Sequence, residues 1–327
     1  MATIGLDKLY YAKITEGTNG DETYAAPVSL AKAMSAELKI DINEATLYAD
    51  DGAAEVVKEF KSGTLTLGID NIGAAVASDL TGSQIDDNKV LVSQSENGGQ
   101  PVAIGFRAKK SNGKYRYFWL YRVVFGIPAT NLQTKGDNIT FSTPSIEGTN
   151  GDETYATPVS LAKAMSAELK IDINEATLYA DDGAAEVVKE FKSGTLTLGI
   201  DNIGAAVASD LTGSQIDDNK VLVSQSENGG QPVAIGFRAK KSNGKYRYFW
   251  LYRVVFGIPA TNLQTKGDNI TFSTPSIEGT IIRRNKLDGQ GKHPWKAEVN
   301  EDDTSVPAAT ISGWYTQVYE PTFIAEG

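Results

Sequence analysis

Residues 34–43 read Met-Ser-Ala-Glu-Leu-Lys-Ile-Asp-Ile-Asn. Met34, Ala36, Leu38, Ile40 and Ile42 alternate strictly with Ser35, Glu37, Lys39, Asp41 and Asn43. A period of two puts successive side chains on opposite faces, so the stretch predicts a half-buried β-strand. Outward from it the same period continues. Residues 45–51 extend the strand until Asp50-Asp51-Gly52 supplies turn chemistry. Residues 55–70 predict two strands around Ser62-Gly63, the second alternating Leu65, Leu67 and Ile69 with Thr64, Thr66 and Gly68. Upstream, Leu9–Ile14 is rich in strand formers and predicts a first strand.

Beyond residue 70 the pattern changes. Ile72, Val76 and Leu80 share a helical face, with Asn71 as the expected N-cap and Gly82 as the stop. Residues 102–110 and 114–125 then flank Ser111-Asn112-Gly113, and Asn-Gly predicts a primed hairpin turn. In the returning strand Tyr115, Tyr117, Trp119, Tyr121 and Val123 alternate with Arg116, Phe118, Leu120, Arg122 and Val124. Both faces are largely apolar. Such a strand belongs between two layers, or between a sheet and a neighbouring subunit. Residues 138–142 and 295–299 predict further strands, the latter after a turn at Gly289 and Gly291. Pro307 opens a final helix whose stripe is Ile311, Trp314, Tyr315 and Val318. The expected fold class is α+β, mostly β: an antiparallel β-sandwich with short helices.

One segment occurs twice. Residues 16–146 recur as residues 147–277, and the only difference is Ala26 against Thr157. The unit is too long for a solenoid period and reads as a domain-sized duplication. Glu-Gly-Thr stands at 16–18, 147–149 and 278–280, at every seam. Residues 1–15 and 281–327 occur once. The expected domains are therefore 1–146 and 147–327. The first copy lacks its own C-terminal strand and helix, and the second its own N-terminal strand. Two arrangements follow. Residues 1–146 plus 281–327 make one complete unit and leave the second copy spare, or the second copy borrows residues 138–146 as its missing strand.

Composition bounds the function. A hydrophobic fraction of 41% in 327 residues supports a folded core, so wholesale disorder is excluded. The net charge of −10 repels phosphate and disfavours a nucleic-acid grip. With no Cys, disulfides and thiolate metal sites are excluded, which suits assembly in a cytoplasm. The first residues show no signal-peptide pattern, and no apolar run reaches the roughly 20 residues of a membrane helix.

Chemistry-bearing groups are few. His293 is the only histidine, so a Ser-His-Asp triad would rest on it alone; it reads as a loop histidine. Asp50-Asp51-Gly52 and Asp86-Asp87-Asn88, with their copies Asp181-Asp182-Gly183 and Asp217-Asp218-Asn219, lack calcium-loop spacing and read as turns. Among 41 acidic residues a glycosidase-like pair arises by chance and carries no signal. No phosphate-binding glycine loop follows a strand. Arg107, Lys109, Lys110, Lys114 and Arg116 form a basic hairpin cluster; it reads as edge charge that blocks strand pairing, in preference to a nucleic-acid contact. No cofactor, metal or catalytic residue is expected.

Five stretches in order resemble the major tail proteins of long-tailed bacteriophages of Gram-positive bacteria. They are residues 5–13 (Gly-Leu-Asp-Lys-Leu-Tyr-Tyr-Ala-Lys), 45–52 (Ala-Thr-Leu-Tyr-Ala-Asp-Asp-Gly) and 109–117 (Lys-Lys-Ser-Asn-Gly-Lys-Tyr-Arg-Tyr). The fourth is Gln133–Asn138 followed by Thr143–Gly148, and the fifth is Val306–Ile311 with Trp314. The resemblance implies a tail-tube β-sandwich that forms stacked six-membered rings in the virion tail, assembled in the host cytoplasm. It implies tape-measure, tail terminator and distal tail proteins as partners, and DNA passing through the lumen without specific binding. The duplication departs from the family and leaves open three chains per ring in place of six. On this reading the polar side of the founding strand, Glu37, Lys39 and Asp41 with Glu168, Lys170 and Asp172, is the candidate lumen face, where acidic groups would keep phosphate from sticking. Asp50, Asp51 and Gly52 with Asp181, Asp182 and Gly183 form the candidate ring-stacking loop. The strands 34–43 and 63–70 and the hairpin 102–125 are expected to share one sheet. Two rival classes are a β-sandwich adhesin for sugar or protein and a carboxylate-dependent hydrolase; the tubes of bacterial secretion and contractile systems are a near neighbour.

Overall fold

A computed structural model describes residues 3–17, 21–49, 52–128, 130–133, 139–142, 144, 146–147, 153–180, 183–200, 203–225, 229–257 and 276–323. The first copy and its leader give β1 (Thr3–Glu16), β2 (Glu22–Tyr24), β3 (Val28–Ala31), β4 (Ala33–Ala49), β5 (Gly52–Ile69), α1 (Ala74–Thr81), β6 (Gln84–Ile85), β7 (Leu91–Gln94), β8 (Pro101–Lys110), β9 (Tyr115–Val124), β10 (Thr130–Gln133), β11 (Ile139–Ser142) and β12 (Ile146–Glu147). The second copy gives β13 (Thr154–Tyr155), β14 (Ser160–Ala180), β15 (Gly183–Ile200), α2 (Ala205–Thr212), β16 (Gln215–Ile216), β17 (Leu222–Val223), β18 (Pro232–Lys240) and β19 (Tyr246–Phe256). The last seam and the tail give β20 (Ser276–Ile281), β21 (Pro294–Asn300) and α3 (Ala308–Ser312). The fold is mostly β, with antiparallel ladders and three short helices among the described residues.

The chain divides into two compact units, and the division does not follow the sequence boundary at 146/147. Unit 1 is Met1–Thr81, Gly98–Gly126 and Asn174–Lys189. Unit 2 is Gly82–Asn97, Ile127–Ile173 and Glu190–Gly327. A piece of the first copy, residues 82–97, is thus built into the unit that holds most of the second.

In unit 1 the order β2-β1-β8-β9 forms one sheet, with β3 also on β1. Leu9, Tyr11, Leu30, Leu80, Val102 and Ile104 make its core. The strands β4 and β5 pair with each other as a separate two-stranded sheet. They do not share a sheet with β8 and β9, contrary to expectation. Residues 55–69 are one strand, not two: at Ser62-Gly63 the register slips opposite Asp41 and Ile42, a bulge that leaves Lys61 unpaired. A Cβ on Gly63 would lie 3.1 Å from the Lys39 carbonyl, so the glycine marks close backbone approach and not a break.

In unit 2 the order β18-β11-β14-β15-β20-β19 closes on itself through the β18–β19 ladder, so the sheet curls into a circuit. Alternate residues point inside: Leu196, Leu198 and Ile200, then Val233, Ile235 and Phe237, then Phe249 and Leu251, with Ile277 and Ile281. Trp295 stacks on Phe191 at 4.4 Å. From β19 the sheet runs on through β21 to β7 and β6. The strand that the second copy lacks is supplied by the end of the first. Ser142 pairs with Gly236, and the Ala234 amide donates to the Pro144 carbonyl. In unit 1 the corresponding Gly105 faces Tyr10 of β1. The borrowing arrangement is therefore the one observed, and the tail goes to the second copy.

Local signals needed two adjustments. The helix starts at Ala74, with the Ala77 amide bonded to the Gly73 carbonyl, while Asn71 donates its backbone amide to Asp70 Oδ1. Asn71 is therefore not its cap; Gly82, at φ 72°, closes it as expected. At the hairpin only Gly113 has positive φ, and its amide bonds the Lys110 carbonyl. Ser111 lengthens the loop to three residues, which favours a type I turn plus a left-handed glycine over the primed two-residue turn.

Candidate functional site

β19 and β9 have one sequence and opposite fates. On β19, Phe249 and Leu251 point into the circuit, while Tyr248, Trp250 and Tyr252 point to a second core made with Val90, Val92, Ala297, Val299, Trp314 and Val318. β19 is thus covered on both faces, as a strand with two apolar faces demands. On β9 the equivalent outer face is open: Tyr117, Trp119 and Tyr121 are 71%, 45% and 69% exposed, against 6%, 0% and 0% for Tyr248, Trp250 and Tyr252. An exposed aromatic row of this kind on a sheet is a candidate interaction surface.

The cover on β19 is the tail. β21 pairs along residues 247–251 of β19. Beyond it the stripe Ile311, Trp314, Tyr315 and Val318 lies over the aromatic row. The helix is shorter than its stripe: α3 ends at Ser312, and in the turn that follows the Trp314 amide donates to the Ile311 carbonyl. Trp250 Nε1–H donates to the Trp314 carbonyl at 3.0 Å, and Trp314 Nε1–H donates to the Phe249 carbonyl at 3.4 Å. Tyr315 sits 6.0 Å from the Tyr248 ring and 6.1 Å from the Trp250 ring. Arg284 is fully buried with its guanidinium 4.6 Å over the Tyr252 ring and bonded to Glu320. Glu153, also buried, pairs with Arg253 and accepts the Asn285 and Lys286 amides at 2.8 and 3.2 Å.

Two buried carboxylates of the cover are held in different ways. Glu298 of β21 is buried between Arg247 and Lys296. Burial alone would raise its pKa; the two cations outweigh that and hold it at about 2. Asp86 is buried and has a raised pKa because of that burial, which outweighs its bonds from Tyr319 and from the Val90 and Thr322 amides. Those bonds make Asp86 a turn anchor that ties β6–β7 to the tail. Asp217 makes the same turn, accepting the Val221 amide at 2.8 Å.

The open face of β9 keeps the same frame. Trp119 lies over Gly105 as Trp250 lies over Gly236; a Cβ on either glycine would come within 2.6 to 2.7 Å of the indole. Arg122 pairs with Glu22 and Glu16. Tyr24 and Tyr121 stand 6.2 Å apart, and their counterparts Tyr155 and Tyr252 6.4 Å. A hollow of 210 Å³ opens between Tyr10, Gly105, Tyr117 and Trp119.

The residues singled out from sequence fall elsewhere. Glu37, Lys39 and Asp41 are exposed on β4, and so are the apolar residues Met34, Leu38, Ile40 and Ile42 behind them; the half-buried alternation is absent from the first copy. In the second copy it is present: Ala167 and Leu169 are buried, while Lys170 and Asp172 are exposed and Glu168 is half-buried. Asp50, Asp51, Asp181 and Asp182 lie outside the described residues; Gly52 and Gly183 open the returning strands β5 and β15. His293 is bound to Glu96 through its ring and its amide. In the basic cluster Arg107 pairs with Asp7 at 2.7 Å and stacks on Tyr115, and Arg116 lies 5.0 Å over Phe118; Lys109 and Lys114 are exposed. The open face was missed as a site. Its signal was present in the two-sided apolar pattern of residues 115–124 and in the single tail. No family model matches the chain, and no curated protein matches it.

Proposed function

We propose that the protein is a non-enzymatic structural subunit that assembles with copies of itself into the tube of a phage tail. The observation that carries the reading is the β4–β5 hairpin. Residues 33–49 and 52–69 pair as a two-stranded sheet, with Met34, Leu38, Ile40, Ile42 and Phe60 exposed. Isolated two-stranded ribbons with apolar surface are marginal in water and are completed by neighbours. Rings of subunits provide such neighbours, and closing the ring removes the free edges. The five stretches that resemble tail proteins support the same reading, and so does the mostly β, antiparallel fold.

On this reading the acidic side of β4 and β14, with Glu37, Asp41, Glu168 and Asp172, lines the channel, and the turns at Gly52 and Gly183 meet the next ring. Tape-measure, terminator and distal tail proteins are the partners, and DNA passes without being gripped. Negative-stain electron microscopy of the purified protein across a concentration range tests the reading. Rings or hollow tubes are expected. Dispersed monomers at all concentrations, from both the full chain and a version lacking residues 147–277, overturn it.

A further inference from the structure

The chain holds two copies of the face that receives the tail and one tail. Glu22, Tyr24, Tyr117, Trp119, Tyr121 and Arg122 correspond to Glu153, Tyr155, Tyr248, Trp250, Tyr252 and Arg253 in identical order. The second set is covered by residues 281–323; the first is bare. The indole, the arginine–glutamate pair and the tyrosine pair already stand in place on the bare face. Among the described residues one contact at the glutamate differs. The Tyr24 hydroxyl donates to Glu22 Oε2 at 3.0 Å, where the same oxygen of Glu153 accepts the Asn285 and Lys286 amides. Tyrosine thus fills the acceptor that the tail backbone would take. Among the described residues β9 also ends its sheet, so residues 116–120 present the edge that residues 247–251 use to pair with β21.

We propose that the open face of β9 is a binding site for a second copy of the segment 281–323, donated by another polypeptide. The mode is strand addition along β9 with Trp314 and Tyr315 seated on the aromatic row. Identical chains carry two faces and one tail each, so exchange among them leaves the number of open faces unchanged. The site is filled by tail segment supplied in excess, and a free peptide is therefore the probe. The unit-2 hairpin β16–β17 pairs only with itself among the described residues, whereas its counterpart β6–β7 flanks β21. This inference does not depend on the tube reading.

The test is a fluorescence-anisotropy titration of a dye-labelled synthetic peptide of residues 281–323 with the full chain. Saturable binding at one peptide per chain is expected. Trp119→Ala, and separately Tyr117→Ala, should weaken it by roughly tenfold or more, as for a buried aromatic anchor, with circular dichroism and melting unchanged. A peptide carrying Trp314→Ala should weaken it similarly. Absence of saturable binding to the folded chain overturns the proposal. So does binding that both first-copy substitutions leave intact, since the peptide would then be displacing the resident tail from β19. Self-association that Trp119→Ala abolishes, without peptide binding, also overturns it and assigns the face to a second copy's face. Tubes in electron micrographs are read separately, so failure of one reading does not decide the other.

Discussion

Trp119 and Trp250 are the same residue in the same local sequence, and their energetic weight differs because one is covered. Truncating a buried aromatic removes its transfer energy and leaves a cavity, about 3–5 kcal/mol. Trp250→Ala should therefore destabilise unit 2 by about that amount in urea unfolding, with its hydrogen bond to the Trp314 carbonyl lost as well. Trp119→Ala should cost less than about 1 kcal/mol, in the range of exposed substitutions. Glu298 sets an acid limit. Its pKa is depressed to about 2 from an ordinary 4.5, so its stabilisation is present above 4.5 and is lost as pH falls towards 2. Glu298→Gln leaves Arg247 and Lys296 unpaired in a buried site and should cost about 3 kcal/mol at pH 7. Unfolding followed from pH 7 to pH 2 should show a flatter decline over pH 4.5 to 2 for the variant than for the parent.

At the scale of elements, two identical hairpins differ in the same way. In β6–β7 Val90 and Val92 are buried against the tail core, whereas Val221 and Val223 of the second copy are exposed. A charge at Val92 enters a packed apolar layer without a partner. Val92→Asp should lower the melting temperature markedly, and Val223→Asp should leave it within about 2 °C, since surface changes stay near ±0.5 kcal/mol. Differential scanning fluorimetry of the two variants makes the comparison. The long strands β1, β4, β8, β9 and β21 were legible, because their length and composition report the backbone directly, whereas short strands such as β2, β3 and β7 were not, since β7 is buried at every position and shows no alternation. The breaks were less legible. Ser62-Gly63 reads as a turn in sequence, yet the long antiparallel partner carries the chain through it as a bulge. Ser111-Asn112-Gly113 reads as a hairpin correctly, but loop length and not the Asn-Gly pair chooses its turn type.

At the scale of the molecule, the ratio of tails to faces decides which surfaces are covered. Deleting residues 281–327 should expose Tyr248, Trp250 and Tyr252 together. A rise in binding of a hydrophobic dye and loss of the highest-temperature unfolding step are the expected readouts. Excising residues 147–277 restores one tail to one face. Tryptophan emission of that shorter chain should be less accessible to acrylamide than the parent's, because Trp119 becomes covered; unchanged accessibility would show that the tail does not recognise the first copy's face.

The sequence by itself determined the long strands, the hairpin at 111–113, the duplication and the mostly β class, since these depend on residue spacing and local turn chemistry. It also determined that residues 115–124 and their copy require cover on both faces. It did not determine which copy receives that cover. Two identical segments have identical local preferences, so only long-range packing distinguishes them. The tertiary structure gives the tail and the first copy's hairpin to β19, and the seam strand 139–142 to β18. One tail cannot bury two faces, and the face left open on β9 is the physical consequence.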